Sequence, residues 1–202
     1  MTRRGVVALL GRVAWTPPGI DPADWRSALA EDVVDLLATL DQVRPAIAAT
    51  AADLDLAQRI AWPGMTVYRL ADHPDAPVNA VLSAAAADGC DQVAVLAADA
   101  PDLPALTVGK LLRPLTSRPV AVAAPPDGAG LLGVAVRLPA PPWLPAIDLD
   151  TTTLDAIRTA APRRADVAVA SGWRRLRGPA DLSSLDPAVE GWEHTRILLS
   201  PS

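Results

Sequence analysis

Short apolar runs alternate with longer amphipathic stretches along the 202-residue chain. Residues 5–10, 45–50, 65–70, 92–98, 119–124, 131–138 and 166–170 have strand length and are mostly apolar. Residues 24–40 place Trp25, Leu29, Val33, Leu36, Leu37 and Leu40 near helical spacing, behind a start signal at Pro22 and Asp24. An alanine-rich helix is predicted over 78–87, closed by Gly89. Further helices are predicted over 104–115, 151–161 and 179–185. The alternation predicts an α/β three-layer sandwich, with residues 1–202 forming a single domain. The run 92–98 is apolar at nearly every position, which predicts a central strand covered on both faces. The strand 131–138 follows its predecessor after only a turn, so it is expected to run antiparallel or to leave the sheet. The sheet is therefore expected to be mixed and mainly parallel. The stretch 139–145, PAPPWLP, fits neither a helix nor a central strand and reads as a stiff surface loop, a lid or a docking segment.

Composition narrows the function. Half of the residues are apolar, enough for a sizeable core. Eighteen Lys plus Arg against 23 Asp plus Glu give a net charge of −5, which argues against a general nucleic-acid binder. With 3% aromatics and no Phe there is little material for a base-stacking platform. A single cysteine, Cys90, excludes an intramolecular disulfide and a thiolate zinc cluster. The two histidines, His73 and His194, are too few for a multi-histidine centre, which leaves a hard metal held by carboxylates. Lys110 is the only lysine and lies within a predicted helix, an unsuitable place for a P-loop or Schiff-base lysine. No apolar run is long enough to span a bilayer, and the run at 6–10 is too short for a signal peptide. The expectation is a cytoplasmic protein.

In open α/β sheets, ligands bind outside the carboxyl ends of the strands. The loops after three predicted strands carry Gly11-Arg12, Asp99-Ala100-Pro101-Asp102 and Asp127-Gly128-Ala129-Gly130. If those strands are parallel, two carboxylates, an arginine and glycine backbone converge on one edge. Carboxylates hold Mg²⁺ or Mn²⁺, and glycines let backbone N–H groups approach phosphate oxygens. Each residue also has a plainer role: Asp102 as an N-cap, Asp99 as a turn residue, Asp127-Gly128 as a hairpin turn, Arg12 as a surface charge. The six tryptophans read mainly as packing residues.

Several segments resemble the nucleotide-diphospho-sugar transferase superfamily, which has the Rossmann-like glycosyltransferase-A fold. Ala97-Ala98-Asp99-Ala100-Pro101-Asp102-Leu103 is similar to a "GSDCPDL" segment, and Pro125-Pro126-Asp127-Gly128-Ala129-Gly130 to a "P-x-DGG" turn. Both are hallmarks of a small bacterial glycosyltransferase-like family. Val78-Asn79-Ala80-Val81-Leu82 resembles the "LN-x-AL" helix of 2-phospholactate and phosphoenolpyruvate guanylyltransferases, and Gly178-Pro179-Ala180-Asp181-Leu182 the "TPEDL" segment of both branches.

The resemblance implies transfer of a nucleotidyl or glycosyl group from a nucleotide or nucleotide-sugar to a small-molecule acceptor. In that reading Asp99 and Asp127 are catalytic and Asp99 holds Mg²⁺ or Mn²⁺. Arg12, Asn79, Gly128 and Gly130 contact nucleotide, and Arg175 and Arg177 neutralise phosphate. Nucleic acid and a membrane span are not expected, and a homodimer is left open. The chain also departs from the pattern. A basic opening, "PGRVKTRL", is retained only as Leu10-Gly11-Arg12-Val13, and Ala129 replaces a glycine of "DGG". The ending "DVDTPEDL", matched to 175–182, has Arg175 and Arg177 where acids would serve a metal. These departures favour the alternative, a non-catalytic relative that acts as a ligand-binding or scaffold protein.

Overall fold

The structure, a computed structural model, describes residues 2–72, 74–185, 188 and 190–200, so His73 lies outside the described residues. Seven strands form one sheet: β1 (Arg4–Leu9), β2 (Arg44–Ala49), β3 (Thr66–Arg69), β4 (Gln92–Ala97), β5 (Val120–Ala123), β6 (Gly133–Arg137) and β7 (Val167–Val169). Their order is β3-β2-β1-β4-β6-β5-β7. Only β6 runs against the rest. The apolar run at 92–98 is thus the central strand, with every residue of β4 buried. Alternation along the strands sends side chains to two faces. Val6, Ala8, Ala94 and Leu96 enter one core, and Val7, Leu9, Val93 and Val95 enter the other.

The first core is covered by α1 (Pro22–Ala38), α2 (Leu54–Ile60) and α4 (Ala105–Leu112), the second by α3 (Pro77–Ala87) and α5 (Leu154–Ala160). This is the expected three-layer α/β sandwich. Helix α1 starts where Asp21 accepts N–H bonds from Ala23 and Asp24 and Pro22 occupies the first turn. Helix α3 ends at Asp88, and Gly89 follows with φ +77°. Asp102 does not cap α4; Pro104 stands at that position, and no side chain bonds the helix end there. Among the described residues no helix is long and apolar enough to cross a membrane.

Two helices escape the sequence pattern, α2 and the terminal α7 (Glu193–Leu199). After α6 (Pro179–Leu182) the chain returns over α1. Trp25 and Leu29 of α1 enclose Leu176, with Leu198 and Leu199 of α7 packed against them. Helix α7 has no cap bond from its own first residues. Instead the buried Asp32 of α1 accepts N–H bonds from His194 and Thr195, at 3.0 and 2.9 Å. Burial raises the Asp32 pKa above its ordinary value, and the N–H donors offset this in part. A raised folded pKa means that Asp32 costs stability as pH climbs from the unfolded value through the folded one. Asp32→Asn is therefore expected to gain on the unmodified protein as pH climbs from about 4, the ordinary carboxylate value, to neutrality. Urea unfolding at both ends of that window tests this; an unchanged gap would contradict it.

Candidate functional site

Because β1 to β5 and β7 share one direction apart from β6, their carboxyl ends open on one edge. A cavity of about 800 Å³ lies there, over β1, β2 and β3. Leu9, Leu10, Leu70, Ala97 and Leu149 give it an apolar floor, and Arg12, Asp72, Asp148 and Asp150 give it polar walls. Arg26 of α1 fastens the rim: its guanidinium meets Asp53 at 2.5 Å and donates to the Gly11 carbonyl at 3.0 Å. That contact ties the loop after β1 to the turn after β2. Arg12 stands beside it, exposed, and no described residue forms an ion pair with it.

Asp99 follows the end of β4 but lines neither of the larger cavities at this edge. It is 4% exposed, and Arg175 grips both its carboxylate oxygens, Nε to Oδ1 at 2.5 Å and Nη2 to Oδ2 at 2.9 Å. The same Nη2 lies 2.7 Å from Oδ1 of Asp150, while Nη1 faces the carbonyls of Leu131 and Leu149 at 3.2 and 3.5 Å. All three guanidinium nitrogens thus face carboxylate or carbonyl oxygens. Burial opposes the Arg175 charge, but attraction and hydrogen bonds from Asp99 and then Asp150 outweigh it and raise its pKa. The Leu176 N–H also donates to the Asp99 carbonyl at 2.8 Å, so the 175–176 backbone is pinned beside the pair.

The expected single cleft is divided. Arg12 lines the large cavity, and it shares a narrow recess with Asp99 and Arg175. Asp127 lies on the same edge but lines a second cavity of about 640 Å³, with Trp173, Arg174, Arg177 and Asp181. Arg175 borders both cavities and separates them. Asp127 accepts the Ala129 N–H at 3.1 Å, so it closes its own turn.

Gly128 (φ +72°) and Gly130 (φ +77°) line neither cavity. A Cβ on Gly130 would sit 2.7 Å from the Leu149 carbonyl, so this glycine seats the 149–150 backbone. Asn79 also stands away from both cavities. Its amide donates to the Pro145 carbonyl and accepts the Ile147 N–H, both at 2.9 Å, which anchors the Pro-rich loop. Arg177 reaches Asp150 at 3.2 Å while also lining the second cavity.

The structure corrects one sequence expectation: an acid, Asp150, does stand across Arg175 from Asp99. A "DVDT" pattern placed at 175–178 passes over Asp148 and Asp150. The letters Asp148-Leu149-Asp150-Thr151 match that pattern better, and they would have found both carboxylates. Asp148 holds its own turn, accepting from the Asp150 and Thr151 N–H groups.

Asp99 and Asp150 are hard oxygen ligands of the kind Mg²⁺ and Mn²⁺ prefer. The space between them is nevertheless filled by the Arg175 guanidinium, and the described residues include no group of three or more metal-binding side chains. In this arrangement the residues do not fit a divalent ion.

No family model matches the chain, and no curated protein matches it. Solved structures do. A protein of Desulfovibrio desulfuricans G20 assigned as a nucleotide-diphospho-sugar transferase shares 18% identity over 98% of this chain and 95% of its own, with a TM-score of 0.66. The 4-diphosphocytidyl-2C-methyl-D-erythritol synthase of Anaerococcus prevotii DSM 20548 shares 10% identity over 98% and 97%, with a TM-score of 0.62. Glucosyl-3-phosphoglycerate synthase of Mycobacterium tuberculosis, in complex with Mg²⁺ and uridine diphosphate, shares 14% identity over 98% and 78%, with a TM-score of 0.56. The chain therefore has the nucleotide-diphospho-sugar transferase fold.

Proposed function

We propose that the chain binds a nucleotide or nucleotide-sugar in the cavity above β1, β2 and β3 and transfers its nucleotidyl or glycosyl group to a small-molecule acceptor. The observation that carries this reading is the position of the cavity, at the carboxyl edge with Gly11-Arg12 on its rim. The apolar floor suits a base. Asp72, whose Oδ1 accepts the Ala51 N–H, and Asp148, whose Oδ1 accepts the Asp150 and Thr151 N–H groups, each keep Oδ2 as an acceptor for sugar hydroxyls. Arg12 is the charge available to a phosphate, and the Gly11 backbone allows close approach. Transfer of this kind depends on positioning and charge neutralisation, so it requires no strong nucleophile from the protein. The neighbour bound to uridine diphosphate supports the ligand class.

Thermal unfolding with GTP, CTP, UDP-sugars and GDP-sugars tests the reading. A true ligand at a hundredfold excess over its Kd adds about 2.7 kcal/mol of stability. Arg12→Ala is expected to weaken that ligand about tenfold or more, since a hydrogen bond to a charged group contributes about 1.5–3 kcal/mol. Silence across the panel would remove the proposal. The closure of Asp99 by Arg175 favours a second reading, binding without transfer. Incubation with the bound donor and chromatography of the products separates the two: an intact donor supports binding alone.

A further inference from the structure

We infer that Arg175 is the resident cation of this site and takes the place that a divalent ion would occupy between Asp99 and Asp150. Three observations converge on this. Oδ2 of Asp99 and Oδ1 of Asp150 both lie within 2.9 Å of one guanidinium nitrogen, so a single centre already bridges the two carboxylates. The Arg175 side chain is 6% exposed, and its other donors are taken by Asp99 and by backbone carbonyls. The backbone that delivers it is fixed independently, by Leu176 buried among Trp25 and Leu29 and by the Leu176 N–H on the Asp99 carbonyl.

The charge arithmetic agrees. One guanidinium and the neighbouring Arg177 balance Asp99 and Asp150. A metal ion added to this arrangement would bring two further positive charges against carboxylates that are already paired with arginines. It would also have to displace a forked, charge-assisted hydrogen-bond pair. Arg175 is thus a positioning residue: it holds Asp99 and the Asp150 loop in place, and it excludes the ion. The site is metal-independent because its cation is covalently part of the chain. The corollary that nucleotide binding needs no metal rests on the function proposed above; the replacement of the ion does not.

The test uses Mn²⁺ alone, followed by calorimetry and by thermal unfolding. The unmodified protein is expected to give no saturable Mn²⁺ binding. Arg175→Gln removes the charge and shortens the side chain to an amide, and it leaves Asp99 and Asp150 facing each other. That variant is expected to unfold at lower temperature and to be raised by about 5–10 °C at a hundredfold excess of Mn²⁺ over its Kd. Adding Asp99→Asn to it should abolish the rise. Arg175→Lys keeps the charge and is expected to remain blind to Mn²⁺, which preserves a readout if the glutamine variant does not fold. Saturable Mn²⁺ binding by the unmodified protein that disappears in Asp99→Asn would overturn the inference. So would a folded Arg175→Gln protein that ignores Mn²⁺. Both outcomes are independent of any nucleotide, so failure of the function proposal is read separately, in the ligand panel. With a ligand in hand, a chelator should leave its thermal shift unchanged.

Discussion

Asp99→Leu alone is expected to lower stability by about 3–5 kcal/mol, because it leaves the Arg175 charge buried with half of its carboxylate partners gone. For a chain of this size that is a fall in Tm of roughly 6–20 °C. Arg175→Met alone should cost a similar amount, since it strands Asp99 at 4% exposure. The double variant should recover most of the loss. Replacing both members of a buried ion pair by apolar side chains of similar volume is often neutral or stabilising. Asp150 is a third exposed and keeps Arg177, so it tolerates the double change better than Asp99 tolerates a single one. A double-mutant cycle by urea unfolding should therefore yield a coupling of several kcal/mol, on the order of the single losses. Additive losses would show that the two groups do not depend on each other, and the buried pair would lose its role as the organiser of this edge.

Gly130→Ala is the second substitution with a large expected effect. The residue has φ +77°, a conformation that costs an L side chain about 1–2 kcal/mol. Its new Cβ would also stand 2.7 Å from the Leu149 carbonyl and 2.9 Å from the Asp150 carbonyl. Those are backbone atoms and cannot swing aside. Leu149 is held by the Leu131 N–H at 2.7 Å, and its carbonyl also faces Arg175. Overpacking adds about 1–3 kcal/mol. The disturbance falls on the segment that carries Asp148 and Asp150, so ligand affinity should drop along with Tm. Gly128→Ala is the control: φ is also positive, at +72°, but nothing lies within 4 Å of the added carbon. It should show the conformational cost alone. Equal losses at the two positions would mean that the 149–150 backbone yields easily.

The central strand was legible because a strand covered on both faces has no polar positions to confuse with a helix face, and 92–97 has almost none. The antiparallel β6 was legible from the shortness of its connection. Helix α7 was not, because the group that caps it is Asp32, 162 residues earlier in the chain. At the edge of the sheet, Asp99 was legible from its place at the end of an apolar run. The environment of Asp99 was not legible, since the sign of the nearest charge depends on which loop returns to it. Arg175 does not replace one of the acids: Asp150, in the 148–151 loop, faces it as a second carboxylate partner. That loop is seated by Gly130 and anchored through Asn79, and neither constraint is visible before the chain folds.

The distance along the chain between Asp99 and Arg175 also matters for biosynthesis. The partners are 76 residues apart, and the arginine is made second. At about 5–20 residues per second a ribosome needs roughly 4–15 s to add that stretch. Throughout that interval the nascent sheet holds a carboxylate at the end of its central strand with no arginine to meet it. Burying that corner early would strand a charge, so the corner is expected to close only once the segment around Leu176 packs over α1. Chains released before this point lack both the counter-ion and the apolar cover of Trp25 and Leu29. Chains cut short of residue 175 are accordingly expected to be more sensitive to proteases than the 202-residue chain, which limited proteolysis of the two side by side checks.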